Sequence, residues 1–243
     1  CRSRFHRRSA TLIAHPAEAS PMPTPRREFL GWLGASTMFA AAGAPLALPR
    51  SAGAQRVPVS DQWDMGWVDR LKGKHRAVFD SPAMAEGDAL FRAAMWRDQN
   101  KEVYGTDAAE LNAVLVVRHA AINLVMNDAF WDRFNLGKEE KLKDSATRKW
   151  SKKNPFLTTP PDTPPKYADY SLERFMATGG TVLACNVAFG QVVYQFVKAD
   201  KLDRAAARQK ALEYLVPGVT LQPSGVFAVL CAQEAGCNYI LAS

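Results

Sequence analysis

The sequence predicts an α/β fold: a parallel or mostly parallel sheet with helices on both faces. Three observations carry this. Short apolar runs alternate with segments of helical periodicity five times between residues 75 and 243, the pattern of repeated strand–helix units. Residues 111–117 (LNAVLVV) are almost continuously apolar, as suits a central parallel strand covered on both sides. Apolar residues make up 47% of the chain and charged residues 23%, an ordinary globular balance that excludes wholesale disorder.

The elements follow in order. Residues 55–74 are polar with Trp63 and Trp67 interspersed and read as an entry segment lying on the domain. Residues 76–80 (RAVFD), closed by Ser81-Pro82, read as a strand. Between 87 and 104, Leu90, Phe91, Ala94 and Met95 recur at helical spacing. Strand 111–117 is followed by a helix expected over 121–134. Residues 137–166 break the alternation. Lys138, Lys141, Lys143, Lys149, Lys152 and Lys153 come first, then Pro155, Pro160, Pro161, Pro164 and Pro165. An aperiodic stretch of about thirty residues is long for a loop. It is either a solvated excursion or a lid or oligomer contact. Order returns with a helix at 172–178, stopped by Gly179-Gly180. A strand at 181–185, helices at 187–198 and 204–215, and a strand at 219–221 come next. Pro223-Ser224-Gly225 then turns into a helix at 226–234, and a strand at 239–241 closes the chain.

The formal charge of +7 suggests an acidic polymer as partner until the charges are located. Residues 1–54 hold seven arginines against two glutamates. Residues 55–243 hold 24 bases against 22 acids. The basic cluster at 138–153 is local and no recognition motif accompanies it, so no nucleic-acid role is expected.

Residues 22–54 have the three parts of an export signal. Arg26-Arg27 precedes Glu28-Phe29-Leu30; a weakly apolar run rich in Ala and Gly extends to Leu48; Ser51-Ala52-Gly53-Ala54 offers a small-residue exit. The RR-x-F-L core resembles the twin-arginine (Tat) signal, with Pro25 where a Ser or Thr is usual. That resemblance implies the Tat export machinery as a partner and the periplasm or cell envelope as destination. No stable membrane span is expected after cleavage, because Gly31, Gly34, Gly43 and Pro45 weaken the apolar run. Residues 1–21, which precede Met22, are expected to lie upstream of the true start.

Chemistry-bearing residues are few. Residues 55–243 contain Cys185, Cys231, Cys237, His75 and His119 as their only cysteines and histidines. No C-x-x-C, haem-attachment, dinucleotide, phosphate-loop or nucleophile-elbow motif is present, so no cofactor is evident. Cys185 ends one expected strand just ahead of a helix, where amide groups and the helix dipole favour a thiolate. His119 follows strand 111–117 in the same way. If the two strands are neighbours, thiol and imidazole share a rim as nucleophile and base. Arg118 is beside them as an anion or thiolate partner, and Asn186 and Ser224 complete the candidate substrate contacts. The alternatives are a buried structural thiol at Cys185 and a structural rim histidine at His119. Cys185 and His119 alone are too few for a closed metal site. His75 falls at the opposite rim. Cys231 and Cys237 read either as two buried thiols or as a disulfide.

The last third of the chain carries a family resemblance. FMATGGTVLACNVAFG, then LVPGVTLQPSGVFAVLCAQEAGCNYIL, is similar to the DsrE/DsrF-like family. The landmarks are a helix ending in Gly, a strand reaching Cys185, Pro217-Gly218-Val219, Pro223-Ser224-Gly225, and Gln233 through Tyr239. Residues 111–128 resemble the family's central strand and following helix. The likeness covers 75–243 apart from 137–166. It implies a three-layer α/β/α sandwich around a five-stranded parallel sheet, assembled as a homo-oligomer, a trimer or hexamer. It also implies possible carriage of small sulfur species as a persulfide, which by position falls on Cys185. Two function classes remain open: sulfur transfer through Cys185, or a non-catalytic oligomeric envelope module binding a small ligand or protein.

Overall fold

The computed structural model describes residues 63–159, 163–164 and 168–243. The expected leader, its Arg26 and Arg27, and the segment before it lie outside the described residues. The described chain is an α/β sandwich built on one five-stranded sheet, β1 (His75–Ser81), β2 (Leu111–Val117), β3 (Thr181–Cys185), β4 (Thr220–Gln222) and β5 (Asn238–Leu241). The strand order is β4-β3-β2-β1-β5. Every pairing is parallel, so the sheet is wholly and not merely mostly parallel.

The helices are α1 (Gly66–Asp69), α2 (Asp88–Tyr104), α3 (Asp128–Arg133), α4 (Leu136–Glu139), α5 (Leu172–Ala177), α6 (Asn186–Asp200), α7 (Arg204–Leu212) and α8 (Gly225–Glu234). The chain steps from β1 through β2 and β3 to β4 in one direction, with α2 to α7 on one face. It then returns past the whole sheet to β5 through α8. Crossovers of one hand moving in opposite directions fall on opposite faces, and the core divides accordingly. On one face Phe79, Leu115 and Val182 pack with Leu90, Phe175, Phe189 and Phe196. On the other Val78, Val114, Val116 and Leu183 pack with Trp67, Leu71, Ala228 and Ala232. Strand alternation explains the division, since successive side chains point to opposite faces. Trp67, on α1, is fully buried in this second cluster.

Two elements differ from the sequence expectation. Residues 121–134 are not one helix but a 3-10 helix, His119–Val125, followed by α3. Asn127 causes the break: its Oδ1 accepts from the Phe130 amide at 3.1 Å and starts α3 afresh. Met126 meanwhile bridges to Leu215. The described part of the 137–166 excursion is docked. Asn154, almost fully buried, donates to the carbonyls of Leu124 (2.8 Å) and Met126 (2.7 Å). Phe156 and Leu157 pack on the main core.

Candidate functional site

Connections leaving β3 run to one face of the sheet, and the connection leaving β4 runs to the other. The carboxyl ends of β3 and β4 are therefore the topological switch point, where ligands bind in open α/β sheets. Cys185 and Gln222 end these two strands and are partners in register. Val117 is level with Ala184, so the next residue on each strand sets Arg118 beside Cys185.

Cys185 is the N-cap of α6, and its Sγ accepts from the Ala188 amide at 3.4 Å. It is 6% exposed and packs with the larger core cluster. Ser224 caps α8 in the same manner, its Oγ taking the Phe227 amide at 3.1 Å. The amino termini of α6 and α8 thus both lie at the carboxyl ends of the paired strands β3 and β4. Asn186 Oδ1 is enclosed and has no hydrogen-bond partner among the described residues. The same is true of Oε1 of Gln222, which is fully buried while its Nε2 donates to the Asp64 carbonyl at 2.8 Å.

Arg118 extends from the end of β2 against α8. Gly225 makes this possible: a Cβ there would lie 2.6 Å from Arg118 Cβ. The guanidinium holds Asp80 at the end of β1 with two hydrogen bonds, Nε to Oδ1 at 2.7 Å and Nη2 to Oδ2 at 2.8 Å. Tyr239 of β5 donates its hydroxyl to Asp80 Oδ2 at 2.9 Å. The Arg118 guanidinium is held above its ordinary value, first by the hydrogen bond to Asp80, against burial, which lowers it. The charges of Asp80, Tyr239 and Cys185 raise it further. Burial, then the Asp80 hydrogen bond, raises the Tyr239 phenol.

The structure brings Cys185, Arg118, Asn186 and Ser224 to one rim. His119 reaches the same rim, but its backbone has φ 51° and its side chain is exposed, with no hydrogen bond to Cys185. His75 begins β1 at the far rim and stacks on Tyr104 at 5.7 Å. Cys231 and Cys237 are both free. Burial raises both thiols. Asp80, Tyr239 and Gln222 were not picked out by sequence reasoning. The available signal was slight: an acid closing the RAVFD run and a tyrosine opening the last strand. Among the described residues, no group of three His, Cys, Asp or Glu is placed to hold a metal ion.

No known protein family, no curated protein and no solved structure matches this chain.

Proposed function

We propose that this chain is an exported DsrE-like protein that takes up sulfur as a persulfide on Cys185. The observation that carries the reading is the position of Cys185: it caps α6 at the switch point, beside Arg118. In the reaction, the Cys185 thiolate attacks the outer sulfur of an anionic donor such as thiosulfate. A Cys185 S–S bond forms, the donor S–S bond breaks, and sulfite leaves with the electron pair. Negative charge on the new outer sulfur meets the amino ends of α6 and α8. Arg118 contributes its unshared Nη1, because Nε and Nη2 are committed to Asp80. His119 is exposed at the same rim, where it meets the incoming donor. Export rests on the Arg26-Arg27 leader; no described helix is long and apolar enough to cross a membrane.

The test is intact-mass spectrometry of the mature protein after thiosulfate or polysulfide. Gain of one sulfur atom, lost on reduction and absent in Cys185→Ser, is the expected result. A gain that survives Cys185→Ser, or no gain, overturns the proposal.

A second reading, a non-catalytic oligomeric module, is favoured by one observation. Val226, Phe227 and Leu230 on α8 and Tyr239 and Leu241 on β5 are exposed on the same side of the sheet. None is charged, so no ion pairing steers a charged partner there, and a self-complementary apolar face suits a second copy of the chain. Light scattering on the mature protein checks this. An oligomer reduced to monomer by Leu230→Glu supports it; a wild-type monomer refutes it.

A further inference from the structure

The lysine-rich part of the excursion builds a cavity of about 510 Å³ against α3 and α4, lined by none of the sheet-rim residues. Its outer wall is a small hairpin. Lys143 and Trp150 pair antiparallel, and the Ser151 amide donates to the Leu142 carbonyl at 3.0 Å. The Asp144 amide donates to the Lys149 carbonyl at 2.9 Å, and the Thr147 amide to Asp144 Oδ1 at 2.7 Å. The hairpin is clamped to α4 at Gly137, where any Cβ would lie 2.1 Å from the Ser151 carbonyl oxygen. The wall is therefore a fixed part of the fold.

Lys138, Lys143, Arg148, Lys149 and Lys152 converge on this cavity. The one carboxylate in the lining, Asp132, is paired with Lys152 at 3.1 Å. Four cations remain without a matching acid in the lining, in a domain whose charges otherwise nearly cancel. Like charges gathered around a concave, partly apolar surface repel one another and focus a positive potential into it. Such an arrangement is relieved by an anion of several charges. Trp150 supplies the second half of the argument. It is a large aromatic left 44% exposed, with the Lys143 ammonium 5.2 Å from its ring centre. The indole of Trp131 closes the floor. The volume lies in the range of sites for small organic ligands, about 300–1,000 Å³, and is generous for a lone phosphate or sulfate.

We propose that this cavity binds an organic polyanion carrying a planar ring, of the nucleoside polyphosphate class. The ring lies on Trp150 and the phosphate oxygens meet the ammonium groups of Lys143, Lys149 and Lys138 and the guanidinium of Arg148. The site stands apart from Cys185 and does not depend on the sulfur reading.

The experiment is calorimetric titration of the full chain with ATP, inorganic triphosphate and adenosine in parallel, with tryptophan fluorescence recorded alongside. ATP is expected to bind and quench fluorescence, with inorganic triphosphate weaker by about tenfold because it lacks the stacking ring. Adenosine, without charge, should not bind measurably. The exposed double substitution Arg148→Glu with Lys149→Glu should weaken ATP at least about tenfold while leaving the thermal unfolding midpoint in place. Lys72→Gln with Lys74→Gln, also exposed and basic, should change nothing. Trp150→Ala should bring ATP down to the level of triphosphate. Absence of ATP binding, equal binding of triphosphate and ATP to the unaltered chain, or indifference to the Arg148 and Lys149 reversals would each overturn the proposal.

Discussion

Arg118 and Asp80 form a two-pronged ion pair across the ends of adjacent strands β2 and β1, at 2.7 and 2.8 Å. The carboxylate is 4% exposed and the guanidinium side chain 31%. The pair is thus asymmetric: one partner has given up water and the other has kept part of it. Removing the guanidinium leaves a buried carboxylate with only the Tyr239 hydroxyl. Arg118→Met is expected to cost about 3–5 kcal/mol. Asp80→Asn leaves a cation that can turn to solvent, and should cost about 2 kcal/mol. Urea denaturation midpoints of the two variants check the order; the reverse order would show that Arg118 is the buried charge.

Tyr239 completes this group, and its phenol is raised by burial and by its hydrogen bond to Asp80. The folded-state value lies above the unfolded one, so the fold favours the neutral phenol. Its stabilising contribution is complete below the ordinary tyrosine value of about 10 and is lost as pH rises through the folded value. Stability measured by urea unfolding from neutral to strongly alkaline pH should fall more steeply in the parent than in Tyr239→Phe. Parallel curves would remove Tyr239 from the account.

The sheet was legible because its buried strands are nearly pure apolar runs bounded by turn residues. The rim was legible only in part. Cys185 and Arg118 announce themselves by following strands, but Asp80 and Tyr239 are 159 positions apart. Only the strand order, with β1 between β2 and β5, brings them together. His119 was placed at the correct rim. Its side-chain direction depends on a left-handed backbone, φ 51°, which a histidine at that position does not declare. The helix expected over 121–134 fails at Asn127 because apolar spacing continues across the cap. The lysines of the excursion concealed Asn154, Phe156 and Leu157, the residues that attach it.

Two glycines in helices should respond oppositely to alanine. At Gly225 a methyl group would press on Arg118 Cβ and Cδ at 2.6 and 2.7 Å. The first of these atoms is fixed to the backbone and cannot swing away. Gly225→Ala should therefore destabilise by about 1–3 kcal/mol as an overpacked contact and displace Arg118 from Asp80. Gly190, inside α6, has open space where a methyl group would stand, apart from its own helix backbone. Gly190→Ala should stabilise by about 0.5–1 kcal/mol through helix propensity. Thermal unfolding of both variants reads the contrast, and a loss at Gly190 equal to that at Gly225 would contradict it.

Asn154 is the fastening between the excursion and the domain. Its Nδ2 serves the Leu124 and Met126 carbonyls, its amide donates to Asp128 Oδ1 at 3.0 Å, and its own Oδ1 takes the Phe156 amide at 3.0 Å. Alanine keeps the backbone bond to Asp128 and forfeits the side-chain bonds, leaving the Leu124 carbonyl at the end of the 3-10 helix and the Met126 carbonyl in the break before α3 without their donor. The cost should be about 2–3 kcal/mol, because buried acceptors lose a partner that water does not readily replace. The loss is expected to be local before it is global, since the strands make none of these contacts. Limited trypsin digestion separates the two. The parent should resist cleavage at Lys143, Arg148 and Lys149, whereas Asn154→Ala should be cut there under conditions that leave the sheet intact. Equal resistance in both proteins would show that Gly137 and the packed Phe156 and Leu157 hold the excursion without Asn154.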